Sequence, residues 1–299
     1  MNLRDFEYFN ALGELLSFTQ VATQFNVSQP TISYAMKRLE QRYGCDLIQK
    51  DPSHRFVVLT REGEILKAHV TSILDELLVV DRAIEHAKQN KIHIGFPPLI
   101  RARIFSKLLR EEGTVNLISN FNLISARSKD LLDNLLSGQL DFSLMGSVTP
   151  LTHPSLTVEL LYKREFFIFV SKDNPLSQKS EVSFADTLDY PFILLERGLA
   201  HTGAFQSLND KYKNKAKVLL HFSDVHTIGQ LVKSNIGITL MTDFLPFQDM
   251  DGLVKIPLVA EDKVPFYVQY AYLRNAVLDE KLQELIAMLD RLSKEDELV

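Results

Sequence analysis

Ser17-Phe18-Thr19-Gln20-Val21-Ala22-Thr23-Gln24-Phe25-Asn26-Val27-Ser28-Gln29-Pro30-Thr31-Ile32-Ser33-Tyr34-Ala35-Met36-Lys37-Arg38-Leu39 reads as two short helices joined by a tight turn. Ser17 is placed to cap the first, whose apolar side carries Val21, Ala22 and Phe25. Asn26 lets the chain leave it in a left-handed turn, Val27 packs in that turn, and Ser28 caps the next helix. Pro30 is acceptable there, because first-turn amides have no intrahelical acceptor to lose. Ile32, Ala35, Met36, Leu39 and Tyr43 then share one helical face. The other face carries Gln29, Pro30, Thr31 and Ser33, followed by Tyr34, Lys37 and Arg38. Gln can bond adenine in the major groove, the Thr31 methyl can meet a thymine methyl, and the cations can hold phosphates. A helix-turn-helix over about 18–37, with Ser28 to Arg38 as reader, is the expectation. A helix pair with a merely solvated polar face would show the same spacing.

The flanks favour DNA. Upstream, Leu3, Phe6, Phe9, Leu12 and Gly13 suggest a first helix with its apolar face inward. Downstream, Gly44 ends the reader helix, and Leu47-Ile48-Gln49-Lys50 and Phe56-Val57-Val58-Leu59 make two strands joined by Asp51-Pro52-Ser53-His54-Arg55. That is a wing, with Lys50, His54 and Arg55 placed to meet backbone or minor groove. Residues 1–60 hold six basic groups (Arg4, Lys37, Arg38, Arg42, Lys50, Arg55) against six acidic ones (Asp5, Glu7, Glu14, Glu40, Asp46, Asp51). Local arrangement, not bulk charge, must therefore carry any DNA contact.

Residues 61–89 run without proline. Leu66, Val70, Ile73, Leu77, Val80, Ile84 and Ala87 step by 4 and 3, a heptad seam with Asp75, Glu76, Asp81, Arg82, Glu85 and His86 on its flanks, and Thr60 is a suitable N-cap. A narrow seam with polar flanks suits pairing between two chains; an amphipathic helix packed on its own domain is the other reading. Beyond residue 90, strand-like and helix-like segments alternate: strands opening at Lys91, over 116–123, 140–145, 191–195, 217–222 and 236–241, and helices at 104–109, 129–137, after Gly198, 227–234 and 278–292. Such alternation implies an α/β domain with a parallel sheet. Ligands in such folds sit beyond strand carboxyl ends, near helix N-termini. The candidates are Leu99, Ile100 and Arg101 after the first strand, Arg127 and Ser128 before a helix, and Ser147 after the third strand. In the second half they are Arg197, His201, Thr202, His226 and Thr227. The cations among them suit a small carboxylate, since Arg offers a bidentate fork.

In a chain of 299 residues, 45% hydrophobic and 24% charged, disorder is excluded and two domains are expected. Cys45 stands alone, so no intrachain disulfide can form, which fits a reducing cytosol. The acidic start and the short apolar runs predict neither export nor membrane insertion. No phosphate-cradling glycine loop, HExxH, CxxC or Gly-x-Ser-x-Gly motif occurs, so no enzyme activity and no cofactor are expected. The eight histidines show no metal-ligand spacing; His69 and His86 read as solvated flanks of the long helix, and no metal is expected. A solute-binding protein would need an export signal or anchor, and an enzyme fused to a DNA reader would need a longer second domain.

The motifs resemble the LysR-type transcriptional regulators. The resemblance rests on Ser17-Phe18-Thr19 with Val21-Ala22, Val27-Ser28-Gln29-Pro30-Thr31-Ile32-Ser33, Lys37-Arg38-Leu39-Glu40, Tyr43-Gly44 and Leu59-Thr60-Arg61-Glu62-Gly63. It departs at Ile48 and Lys50, where that family typically has Phe and Arg. What it implies is a winged helix-turn-helix over 1–60, a dimerising linker helix over 61–89, and a two-lobed periplasmic-binding-protein-like effector domain over 90–299. Lobe I would comprise 91–161 and 267–299, and lobe II 162–266. Ser128 matches a position where the family uses a hydroxyl on its effector, and Leu99 stands where many members have Ser or Thr. The implied partners are double-stranded promoter DNA, a small effector, and further copies of the chain in a dimer that assembles to a tetramer, with RNA polymerase a candidate. Within the family the register over Ser33-Tyr34-Ala35-Met36-Lys37-Arg38 is similar to regulators of malolactic genes in lactic acid bacteria. That implies a cytoplasmic activator sensing a carboxylate such as L-malate; a LysR-type regulator of another pathway, with a different effector, is the alternative.

Overall fold

Asn2 and Asp5 cap the first helix reciprocally. The Asn2 side chain accepts the Asp5 N–H at 3.0 Å and Asp5 Oδ2 accepts the Asn2 N–H at 3.1 Å. In the computed structural model, which describes residues 2–50, 57–111, 113–244 and 251–297, this helix is α1 (Leu3–Leu15). Phe9 and Leu12 are fully buried on it, whereas Leu3 stays exposed. Ser17 caps α2 (Phe18–Gln24), Asn26 turns the chain at φ 51°, and Ser28 caps α3 (Gln29–Tyr43). Ile32, Ala35, Met36 and Leu39 are buried against α1 and α2. Tyr43, expected on the same face, is exposed: the three-helix core does not reach the last turn of α3, and its ring lies beside Arg42. Gly44 ends the helix at φ 67°.

The strands β1 (Ile48–Lys50) and β2 (Val57–Leu59) pair antiparallel, and α4 (Arg61–Gln89) follows at once. Thr60 locks this junction, its hydroxyl accepting the Gly63 N–H at 3.0 Å and donating to the Asp46 carbonyl at 2.7 Å. Leu66, Val70 and Leu74 pack onto the three-helix core, so the first compact unit, Met1–Arg82, takes in most of α4. Of the heptad seam, Ile73, Val80 and Ile84 remain exposed. No described helix is long and apolar enough to cross a membrane.

The second unit, Ala83–Val299, begins in the last turns of α4. Asn90 turns the chain at φ 51° into β3 (Ile92–Phe96), followed by α5 (Pro98–Leu108), α6 (Thr114–Ile118), β4 (Phe121–Ser125), α7 (Ser128–Leu136) and β5 (Phe142–Ser147). The single strand expected over 116–123 is thus a helix and then a strand. Thr114 and Leu117 are buried three apart, the period of a helical turn, and Asn120 bonds back to the Asn116 carbonyl at 2.6 Å. Next come β6 (Leu156–Ser171), β7 (Phe192–Leu195), α8 (Ala200–Lys211), β8 (Val218–Phe222) and α9 (Val225–Lys233). The chain ends with β9 (Thr239–Thr242), β10 (Leu253–Pro257), β11 (Pro265–Leu273) and α10 (Glu280–Glu297).

Parallel pairing holds for β3 with β4 and β5, and for β7 with β8. The remaining ladders are antiparallel, because β6 and β11 run through the domain instead of returning over a helix. Residues 156–165 of β6 pair with β11, which also pairs with β5; from Phe166 onward β6 pairs with β9 and β10. The chain therefore passes between two halves twice, near 165 and near 265. His86 corrects a second expectation. It is not a solvated flank: its Nδ1 lies 3.1 Å from Asp141 Oδ1 and its ring stacks on His93 at 4.0 Å.

Candidate functional site

The candidate reader face is built on the start of α3. The Ser28 hydroxyl accepts the Thr31 N–H and lies 2.8 Å from the Thr31 hydroxyl, which fixes both side chains at the helix entry. Gln29, Pro30, Tyr34, Lys37 and Arg38 are exposed, and Thr31 and Ser33 are half-buried beside them. Tyr34 is 63% exposed with Lys37 Nζ 6.0 Å above its ring, so an aromatic and a cation stand together on one stripe. Arg38 has a second task. Its guanidinium donates through two nitrogens to the buried Asp5 carboxylate, fastening α3 to α1. Burial would raise the Asp5 carboxyl, but the bonds from Arg38 and Asn2 outweigh it and hold the group below the usual range. The Lys50 side chain, His54 and Arg55 lie outside the described residues.

The second site is a cleft of ≈ 740 Å³ between the two halves of the second unit. Ser128, Lys129, Gly146 and Ser147 line one wall. Ser128 Oγ accepts the Gly146 N–H at 3.1 Å, joining the start of α7 to the end of β5. The opposite wall is the turn from β7 into α8, with Arg197, Gly198, Leu199, Thr202 and Gln206. Gly198 sits at φ 88°, and a Cβ there would stand 3.1 Å from an Arg127 guanidinium nitrogen, so Arg127 reaches across onto this turn. His221 donates from Nδ1 to the Leu195 carbonyl at 2.8 Å, since a carbonyl can only accept.

The electrostatics favour an anion. Lys129 and Arg197 line the cleft and no described lining residue is acidic. Both α7 and α8 begin at it without any side-chain cap, leaving first-turn N–H groups open. By contrast α9, outside the lining, is capped by Asp224, which accepts the Thr227 N–H at 2.7 Å.

Of the residues expected on the effector, Ser128, Ser147, Arg197 and Thr202 line the cleft and Arg127 stands beside it. Leu99 packs instead into the cluster around Phe169, Ile193 and Met241, Ile100 is buried behind Gly146, and Arg101 is exposed on α5. His226 and Thr227 lie at the capped start of α9. His201 turns into the core between Phe166 and Phe266, ring centroids 5.3 and 5.4 Å away. The sequence reading missed Phe205, Gln206 and Asn209, although with Thr202 they form an i, i+3, i+4, i+7 stripe on α8.

Residues 3–64 match the family model described as bacterial regulatory helix-turn-helix protein, lysR family, and residues 85–293 match the LysR substrate binding domain. A malolactic fermentation system transcriptional activator of Lactococcus lactis is 44% identical over 292 residues, 98% of this chain and 99% of that protein. Among solved structures, a hydrogen-peroxide-bound cysteine-to-serine mutant of OxyR from Corynebacterium glutamicum superposes with a TM-score of 0.56 at 22% identity, covering 98% of this chain and 93% of that one. The effector-binding domain of QuiR in complex with shikimate gives 0.55 at 18% identity over 69% of this chain and 97% of that one.

Proposed function

From a chain that belongs to the LysR family of transcriptional regulators, and is not an enzyme, we infer an activator of malolactic genes that responds to a small dicarboxylate, with L-malate as the effector. One observation carries the effector class: two uncapped helix N-termini and two cations meet in a cleft whose described lining has no acid. The pathway rests on the near-full-length relative from Lactococcus lactis. A thiol-based switch of the kind that closes an intrachain disulfide is excluded, since Cys45 is the sole cysteine.

Each end of a dicarboxylate requires its own partner. Lys129, in the first turn of α7, serves one; Arg197, in the turn before α8, serves the other. A charge-assisted hydrogen bond contributes about 1.5–3 kcal/mol, so Lys129→Ala and Arg197→Ala are each expected to weaken L-malate binding by roughly 10- to 100-fold. Calorimetry on the full chain reads this, and unchanged affinity in both variants would reject the cleft as the effector site.

Assembly follows from unsatisfied apolar surface. Ile73, Val80 and Ile84 on α4, and Val218, Leu219 and Leu220 on the edge strand β8, are exposed. We assign the first set to a homodimer through paired linker helices and the second to the contact that makes a tetramer. The tetramer would span two half-sites of promoter DNA in the cytoplasm, with RNA polymerase as its partner there. Effector closure of the cleft would alter the spacing of the reader pairs, and DNA must then alter effector affinity by the same factor.

Specificity is assigned to the start of α3. Gln29→Ala and Ser33→Ala are expected to cost about 1–3 kcal/mol on the preferred site and to flatten base preference, whereas Lys50→Ala weakens every duplex alike. Binding to a randomised-duplex library distinguishes the two patterns. An unaltered sequence profile in both α3 variants would move the reading face elsewhere.

A further inference from the structure

Three donors that neither the reader face nor the cleft uses meet at the end of α4. His86 lies in the last turns of that helix, His93 on β3, and Asp141 immediately before β5. His86 Nδ1 is 3.1 Å from Asp141 Oδ1, and His93 Nδ1 is 3.7 Å from Asp141 Oδ2. The two rings stack at 4.0 Å with planes 29° apart. One donor atom from each residue falls within 4.8 Å of the other two. The carboxylate is fixed as well, because Oδ2 accepts the His93 backbone N–H at 2.6 Å.

A His–carboxylate hydrogen bond accounts for His86. It does not account for His93, whose Nδ1 is buried and has no hydrogen-bond partner. That buried ring nitrogen faces Asp141 Oδ2 at 3.7 Å, beyond hydrogen-bond length, and so stands open to a further ligand.

We propose that His86, His93 and Asp141 form a binding site for a divalent ion of the zinc class, each giving one ligand atom and solvent the fourth. Two imidazoles and a carboxylate suit zinc better than magnesium or calcium, which take oxygen ligands. Metal–ligand bonds of about 2.0–2.1 Å place tetrahedral donors roughly 3.3 Å apart, so donors that lie within 4.8 Å of one another need to close by at most about 1.5 Å. The three side chains are 14%, 16% and 27% exposed, so the cluster lies close to the protein surface. The ion ties the end of α4 to β3 and β5, across the left-handed turn at Asn90. It would thus brace the point where the linker helix enters the effector domain.

The test uses the full chain, stripped with chelator and titrated with ZnCl2 by calorimetry and against a chromogenic competitor. Wild type is expected to take up one zinc per chain and to melt at a higher temperature with it. His86→Ala and Asp141→Asn are expected to weaken uptake by at least about tenfold, and His86→Ala to abolish the melting shift. His86→Ala removes a side chain from the last turns of α4 without adding bulk, and the amide oxygen introduced by Asp141→Asn can still accept the His93 N–H, so both variants should fold. His69→Ala, on the exposed face of α4, should bind as wild type does. Co2+ in place of zinc should give the visible bands of a four-coordinate site. No stoichiometric uptake by wild type, or uptake undiminished in both variants, overturns the proposal.

Discussion

Gly63→Ala is expected to abolish DNA binding while the effector unit stays folded. Gly63 lies in the first turn of α4 and is buried; a Cβ there would stand 2.1 Å from the Leu47 carbonyl oxygen and 3.1 Å from the carbonyl carbon. That oxygen is not free to retreat, for it accepts the Thr60 N–H at 3.1 Å at the base of the wing. The Thr60 hydroxyl meanwhile bridges the Asp46 carbonyl and the Gly63 N–H. A methyl group must therefore push the start of α4 away from β1 and break this knot. Backbone overpacking of this kind costs about 3 kcal/mol, at the upper end of the usual range. With a denaturant slope of about 1.5 kcal/mol/M, the urea midpoint of the first unit should fall by roughly 2 M. Gly13→Ala is the control. Its Cβ would meet the Lys67 stem at 2.8 Å, a flexible chain that can move, and Ala gains about 1 kcal/mol over Gly inside a helix. Near-wild-type stability in Gly63→Ala would refute the close approach.

The contrast between these glycines shows where the sequence is legible. The caps Ser17, Ser28 and Thr60, the turn at Asn26 and the stop at Gly44 act within a few residues, and each is found as read. Long-range placement is another matter. Gly63 looks like any first-turn glycine until Leu47, sixteen positions earlier, is brought against it. Arg38 reads as a phosphate ligand until Asp5, 33 residues away, takes its guanidinium. In the effector unit the loops after the strands were legible because chain alternation locates them. Which side chains turn into the cleft was not, because that depends on the twist of each helix at its start. Thr202 and His201 are neighbours, yet one lines the cleft and the other is buried. The strand mistaken over 116–123 fails for a related reason. Val115, Asn116, Leu117 and Ile118 alternate weakly enough to satisfy either period, and the burial of Thr114 with Leu117 decides for the helix.

His201 leads to the second large effect. It is buried, edge-on to Phe166 and tilted against Phe266, at the start of α8, and its Nε2 has no hydrogen-bond partner. Burial lowers its pKa from the ordinary 6.5 to about 4. The native state thus keeps the ring neutral over a range in which the unfolded chain binds a proton. Because the unfolded state binds more protons there, stability rises with pH: the contribution is complete above about 6.5 and drains away as pH falls towards 4. At 1.36 kcal/mol per pH unit the full loss is on the order of 3 kcal/mol, and about 2 kcal/mol of it falls between pH 6.5 and 5. His93 is lowered in the same direction, so wild type alone does not isolate the effect. His201→Leu does, since Leu fits the aromatic pocket and cannot protonate. Calorimetric unfolding of the two full-length chains at pH 7 and pH 5 should show wild type losing about 2 kcal/mol more than His201→Leu, in the transition of the effector unit. Equal losses would mean that His201 protonates without penalty, and the enclosed site between Phe166 and Phe266 would have to be open to water.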